Sequence, residues 1–174
     1  MNGSIRMDIK NKLKILITMI LLMALVSGCV FFEEGPIDYV SHELNVKVDG
    51  KLVKDNDTHG GFLGDGENLI IIKNVDNGFL KQIKNNSEWT SEPTKLETVL
   101  LYGGEYGDMY RSEPLVGFED EKPIIPKIKN AYYYFRDRQT DEKEKNVLER
   151  YSYNFTIAVY DVERKILYYY ELDT

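Results

Sequence analysis

The strongest constraint on the fold lies near the C-terminal end of the chain. Residues 154–160 place Phe155, Ile157 and Val159 on one side of an extended segment. Residues 166–172 answer with an apolar run that contains three consecutive tyrosines. Between them lies Asp161-Val162-Glu163-Arg164-Lys165, a stretch with the polarity of a turn. Two such runs at this spacing predict a β-hairpin. An isolated hairpin is marginal in water, so further strands and helices must cover it.

The upstream chain offers candidates. In residues 43–53, Leu44, Val46 and Val48 alternate with Asn45, Lys47 and Asp49, the period of a half-buried strand. Asp49-Gly50 predicts a hairpin turn, with residues 51–53 returning. Residues 69–75 and 131–135 read as short apolar strands. Asp76 or Asn77 can cap a helix whose Phe79, Leu80 and Ile83 share a face and which Asn85-Asn86 ends. Ser91 and Pro93 start a second helix over 94–102, with Leu96, Val99 and Leu100 inward and Gly103-Gly104 as its stop. Residues 105–130, with Pro114, Pro123 and Pro126, read as loop. Residues 136–150 are highly charged, with an exposed helix expected near 141–148. The sum is an α+β domain: a mostly antiparallel sheet of about five strands with two or three short helices on one face.

The N-terminal end has a different character. Arg6, Lys10, Lys12 and Lys14 face a single Asp8, and residues 15–32 follow without a charge. A basic segment, an apolar segment and small residues before a cut are the parts of a secretory signal. Val26-Ser27-Gly28-Cys29 ends that run with the chain's only cysteine, and it resembles the lipobox of bacterial lipoproteins. The resemblance implies that Cys29 is acylated, palmitate being a typical chain, and becomes the new N-terminus on the outer face of the cytoplasmic membrane. The competing reading is an uncleaved N-terminal helix, since 18 uncharged residues sit at the lower edge of spanning length. The expected organisation is a signal peptide over 1–28, a lipidated cysteine and tether over 29–42, and one domain over 43–174. A tether of a dozen residues reaches about 40 Å when extended.

Charge narrows the partners. The whole chain carries −7; without the leader, 18 basic residues stand against 28 acidic ones, a net of −10. Such a domain repels phosphate backbones, so nucleic acid is not an expected partner. It should likewise stand off an anionic lipid surface. A protein, peptide or glycan partner fits better.

Two clusters could carry function. The first is the glycine-rich stretch from Asp55 to Glu67. Asp55, Asp57 and Gly60 fall at positions 1, 3 and 6 of a calcium loop, but His59 stands at position 5 and Gly66 at position 12. A transition metal could instead use His59 with Asp57 and Asp65 or Glu67. The same four residues could serve a metal-dependent or acid–base hydrolase, His59 as base and an aspartate as its orienter. No nucleophile accompanies them. The plainer reading is a glycine-rich connection whose Asp and Asn side chains bond their own backbone, with no cofactor at all. The second cluster is tyrosine-rich. Successive strand residues face opposite sides, so Tyr133 and Tyr169 with Arg136 and Arg138 could form an exposed face for sugars or peptides. The plainer reading is that tyrosine suits a half-buried strand.

Several segments, among them Asp57-Thr58-His59-Gly60-Gly61-Phe62, Tyr132-Tyr133-Tyr134-Phe135-Arg136-Asp137-Arg138 and 153–174, resemble a group of small uncharacterised bacterial proteins, several with lipoprotein leaders. The resemblance spans roughly Asp57 to Thr174. It implies one domain and lends no catalytic residue. The functional expectation is therefore a membrane-anchored extracytoplasmic lipoprotein with a non-catalytic binding domain, the hydrolase being the alternative.

Overall fold

The computed structural model describes residues 11–19, 34–60, 64–119, 122–139 and 146–174. Cys29 and its lipobox, and most of the expected helix near 141–148, lie outside the described residues. The chain divides into two units, Met1–Glu34 and Gly35–Thr174. In the first, residues 11–19 are helical. Among the described residues no helix is long and apolar enough to cross a membrane.

The second unit is an α+β fold. Its helices are α1 (Pro36–Glu43), α2 (Asn77–Lys84) and α3 (Lys95–Tyr102), with one 3-10 turn at Val147–Glu149. Its strands are β1 (Lys51–Asp57), β2 (Gly66–Lys73), β3 (Trp89–Thr90), β4 (Gly104–Tyr106), β5 (Met109–Arg111), β6 (Phe118–Glu119), β7 (Lys122–Pro123), β8 (Ala131–Asp137), β9 (Asn154–Asp161) and β10 (Ile166–Asp173). Six of them form one sheet in the order β1-β2-β10-β9-β8-β3. Every neighbouring pair in it is antiparallel. β4 with β5, and β6 with β7, make two small ribbons.

The C-terminal hairpin forms as its sequence predicts. Asp161 pairs with Ile166 and Asn154 with Asp173. Asp161 Oδ1 accepts from the backbone N–H groups of Glu163 and Arg164 at 3.0 and 2.9 Å, the local bonding for which aspartate is favoured in turns. β9 and β10 occupy the middle of the sheet and are buried on both faces. That is why both read as nearly continuous apolar runs.

Alternation along these strands builds two cores. One holds Ile70, Ile72, Tyr134, Tyr160 and Tyr169, covered by Val40 and Leu44 at α1 and Phe79 and Ile83 of α2. The other holds Phe155, Ile157, Val159, Tyr168 and Tyr170, covered by Leu100 and Leu101 of α3 with Val116 and Ile125. α1 and α2 thus share one face, and α3 lies on the other. Trp89 is a core residue, edge-on to Phe79 at 5.7 Å. α3 starts at Thr94 rather than Ser91: Thr94 Oγ1 accepts from Glu97 N–H and Glu97 Oε2 accepts from Thr94 N–H, the reciprocal pair of a capping box. Gly103 stops it at φ 72°, where a Cβ would meet Arg111 O at 2.9 Å.

The structure corrects three expectations. The domain begins before residue 43, because Pro36 opens α1 and the spacing of Val40 and Leu44 buries one side of it. Residues 44–49 are not a strand. Val46 and Val48 are buried, but their segment bonds to side chains: Val48 N–H donates to Ser41 Oγ and Lys47 N–H to Gln82 Oε1. The alternation reported burial truly and the partner wrongly. Finally, the first hairpin is not at Asp49-Gly50. It is β1–β2, so Asp55 and Asp57 are strand residues and the connection spans only 58–65.

Candidate functional site

The sheet's register assembles a polar floor at one end of the face covered by α1. Asp57 stands opposite Asn68, Asn68 opposite Glu171, Glu171 opposite Thr156, and Thr156 opposite Arg136. Two residues further along β10, Asp173 stands between Gly66 and Asn154. Arg138, just past β8, donates its backbone N–H to Asn154 O at 2.8 Å. Five strands therefore contribute to one patch. Side chains two apart along a strand share a face, so this patch continues the row of Tyr169, Ala158 and Tyr134 and replaces its apolar character with charge.

Glu171 is its centre. Only 3% of it is exposed. Tyr39 of α1 donates its hydroxyl to Oε2 at 2.7 Å, Thr156 bonds Oε1 at 3.3 Å, and Arg138 Nη2 lies 3.8 Å from Oε1. A buried carboxylate costs several kcal/mol unless hydrogen bonds and an opposite charge replace its water, and these three groups do so. Burial first, then the bond to Glu171, push the Tyr39 phenol far above its ordinary value. Burial and the same carboxylate do this to Tyr169 as well.

From Glu171 the network runs outward. Arg138 Nη2 donates to Asp173 Oδ2 at 2.9 Å. Burial would lower the Arg138 pKa, but the bond to Asp173 and the charge of Glu171 raise it. His59 Nε2 lies 3.0 Å from the same Asp173 oxygen, and its Nδ1 lies 2.6 Å from Asp57 Oδ1. The backbone N–H of His59 also donates to Asp57 Oδ1, at 2.8 Å. An imidazole that bonds a carboxylate through each nitrogen must carry both protons. Burial pulls the His59 pKa down, yet the bonds to Asp57 and Asp173 outweigh it and leave it raised. Burial likewise pushes Asp57 up, and the backbone and ring of His59 bring it below its ordinary value.

This arrangement answers the sequence-based candidates one by one. Asp57 and His59 do meet. Asp55 and Asp65 are exposed. Glu67 leaves for the opposite face: its carboxylate acts on buried Tyr170 and lies 3.6 Å from where a Gly117 Cβ would stand. Only its backbone serves the hairpin, accepting from Thr58 N–H at 2.8 Å. The set Asp57, His59, Asp65 and Glu67 therefore does not converge, because β2 turns Glu67 to the opposite face and Asp65 stays exposed in the connection before it. Among the described residues no group of three or more His, Cys, Asp or Glu could hold a metal ion. The tyrosine face is corrected too. Tyr133 is buried in the core beneath α3 and Tyr169 in the core beneath α1, so the two point to opposite sides. Arg136 sits over the Tyr134 ring at 5.5 Å and 3.7 Å from Glu43.

Glu171, Asp173, Thr156, Asn68 and Tyr39 escaped the sequence reading. One signal was present. Glu171 lies two residues after Tyr169 in a strand too apolar to be open on either side, so its carboxylate had to be buried.

The chemistry open to the site is restricted. A general base needs a nitrogen lone pair, and each His59 nitrogen is occupied by a carboxylate. In a nucleophile–His–Asp arrangement one of these positions belongs to the nucleophile; here Asp173 fills it. No family model, no curated protein and no solved structure matches the chain.

Proposed function

We propose that the chain is a lipid-anchored extracytoplasmic protein whose domain binds a protein, peptide or glycan partner, performs no chemistry and needs no metal. The anchor rests on Val26-Ser27-Gly28-Cys29 at the end of an uncharged run. The non-catalytic part rests on one observation, the capture of His59 between Asp57 and Asp173. That geometry turns the one histidine near the carboxylates into a structural cation.

Metabolic labelling with a tagged fatty acid in a bacterial host tests the anchor. The full chain should take up label and sediment with membranes; Cys29→Ser should do neither. Label retained by the variant would remove the reading. For the domain, the melting temperature of the full chain should not move with calcium, zinc or manganese. A metal that saturates a native-state site at 100 times its Kd adds about 2.7 kcal/mol, so a site would be plain. A shift abolished by His59→Ala would return the metal-dependent hydrolase to first place.

A further inference from the structure

Arginines at this end of the sheet are held by carboxylates. Arg138 bonds Asp173, Arg150 bonds both oxygens of Asp137, and Arg136 lies 3.7 Å from Glu43. A guanidinium keeps its charge at every pH a folded protein meets. His59 does not. It joins two strands only while both ring nitrogens carry protons. Nδ1 lies 2.6 Å from Asp57 Oδ1, and Nε2 lies 3.0 Å from Asp173 Oδ2. The backbone fixes the position of the ring. Gly66 stands opposite Asp173 in the ladder. The main chain of His59 packs on Gly66 so closely that a Cβ there would meet His59 Cα at 2.5 Å. The ring is thereby delivered to the end of β10.

Loss of one proton leaves a single N–H for two carboxylates. Asp57 is two residues from His59, and its Oδ1 also accepts the His59 backbone N–H at 2.8 Å. That bond closes within one turn of chain. Asp173 is 114 residues away. It already holds a permanent cation, since Arg138 Nη2 donates to the same Oδ2 at 2.9 Å. The remaining proton therefore stays on Nδ1, with Asp57. The Nε2 lone pair then faces a carboxylate oxygen with no proton between them, and that contact is repulsive. The His59 and Asp173 side chains are each 24% exposed, so water can enter and replace the bond.

Asp57 faces the ring from β1 and Asp173 from β10, while Arg138 and Glu171 stand behind Asp173. β2 contributes neutral Asn68, because Glu67 turns to the opposite face. β9 contributes neutral Asn154, opposite Asp173. Tyr39 of α1 bonds Glu171. Asp55 and Asp65 are exposed. Burial opposes the charged ring, but the bonds to Asp57 and Asp173 raise its pKa, so the change falls above the ordinary histidine value of about 6.5.

We infer that His59 is a proton-operated latch: charged, it fastens the turn end of the β1–β2 hairpin to β10; neutral, it keeps Asp57 and releases Asp173. The strand ladder does not change. What switches is the side-chain fastening that reaches across β2. In mild acid the edge hairpin is tied to the centre of the sheet. Above the transition its turn end is held by the ladder and Thr58. The proton lost from Nε2 goes to solvent, and Arg138 stays bonded to Asp173, so Glu171 keeps its neighbouring cation.

Nitrogen-15 labelling of the histidines in the full chain tests this by NMR. His42→Asn leaves His59 as the only imidazole. Long-range proton–nitrogen correlation between about pH 5 and 9 should show both ring nitrogens protonated in acid, then Nδ1 protonated and Nε2 bare. A neutral ring with its proton on Nε2 overturns the latch. Amide exchange, divided by the intrinsic rate at each pH, gives a second reading. Thr58 N–H donates to Glu67 O; it should exchange about threefold faster once the ring is neutral, the scale of a partly exposed ion pair. Val75 N–H, bonded to Lys165 O just past the other end of β2, should not respond. Asp173→Asn offers either form of the ring a partner, an oxygen for the protonated nitrogen or an N–H for the bare one. It should remove the response at Thr58 while its circular dichroism stays that of a folded domain. A response that survives Asp173→Asn, or Thr58 exchange that ignores pH in the parent, overturns the latch. If Asp173→Asn does not fold, the tautomer and the exchange of the parent decide alone.

Discussion

The two hairpins of the sheet are joined to each other along β2 and β10, yet they are held by different physics. β9–β10 is buried on both faces. Its stability is the removal of apolar surface from water, roughly 25 cal/mol for each Å². β1–β2 is an edge: most of β1 is exposed, and a bulge interrupts its pairing between Leu52 and Lys54. Its turn end is fastened by polar side chains, Thr58 to the Glu67 backbone and His59 between Asp57 and Asp173. The β9–β10 hairpin would form next to any apolar cover. The β1–β2 hairpin depends on particular oxygens and nitrogens.

The largest difference should appear in truncations. Ile157 is fully buried, and Ile157→Ala should destabilise the protein by about 3 kcal/mol or more through lost transfer energy and the cavity left behind. Val53 is half exposed on the bulge, and Val53→Ala should stay within about 0.5 kcal/mol. Urea unfolding of the full chain measures both. Similar costs would mean that the edge hairpin is buried against something in solution.

Next in size is the centre of the polar floor. Glu171→Ala takes the Glu171 acceptor from Tyr39 and Thr156 and leaves Arg138 with Asp173 and the Phe155 carbonyl, and should cost about 2–3 kcal/mol. Glu171→Gln keeps an acceptor for both hydroxyls and should cost about half as much. If alanine proved the milder change, the carboxylate would be a net liability to the fold. Its retention would then have to be sought in binding.

These contrasts explain what the sequence could disclose. β9–β10 was legible because its signal is local: alternation within each strand and an aspartate that closes its own turn. α2 was legible through its cap and spacing, and α3 through its spacing and the glycines that stop it. β1 was not, since Lys-Leu-Val-Lys-Asp-Asn-Asp has the composition of a loop and becomes a strand only by pairing with β2. α1 was taken for tether because it is short and follows Gly35-Pro36, and its two core residues count only once the sheet is there to receive them. The polar floor was the least legible part. Asp57, Asn68, Glu171, Thr156 and Arg136 are scattered over more than a hundred residues, and a one-residue slip in any strand would turn its member to the other face. The pairing of Asp57 with His59 could be read from proximity. Asp173, the residue that changes the meaning of that pair, could not.

A smaller effect tests the local signals. Thr94→Ala removes one half of the α3 capping box and should cost about 1 kcal/mol, with Thr94→Ser close to neutral. Loss of more than this would tie Thr94 to the packing of α3 on the sheet.

The smallest effect separates the two hairpins by pH. A histidine raised in the folded state contributes stability in full below its unfolded value, about 6.5, and loses it as pH rises through the folded value. An aspartate lowered in the folded state contributes above about 3.9 and loses it as pH falls through its own folded value. His59 is of the first kind and Asp57 of the second. Their clamp should therefore be complete between about pH 4 and 6.5 and weaken on either side. Over half of the Asp57 side chain is exposed, so solvent screening keeps the contribution below about 1 kcal/mol. The urea midpoint of the parent, measured from pH 4 to 9 against His59→Asn, should exceed that of the variant below pH 6.5 and converge on it above. A constant offset across the range would mean that His59 holds the hairpin by shape alone. The edge hairpin would then be fastened no more electrostatically than the buried one.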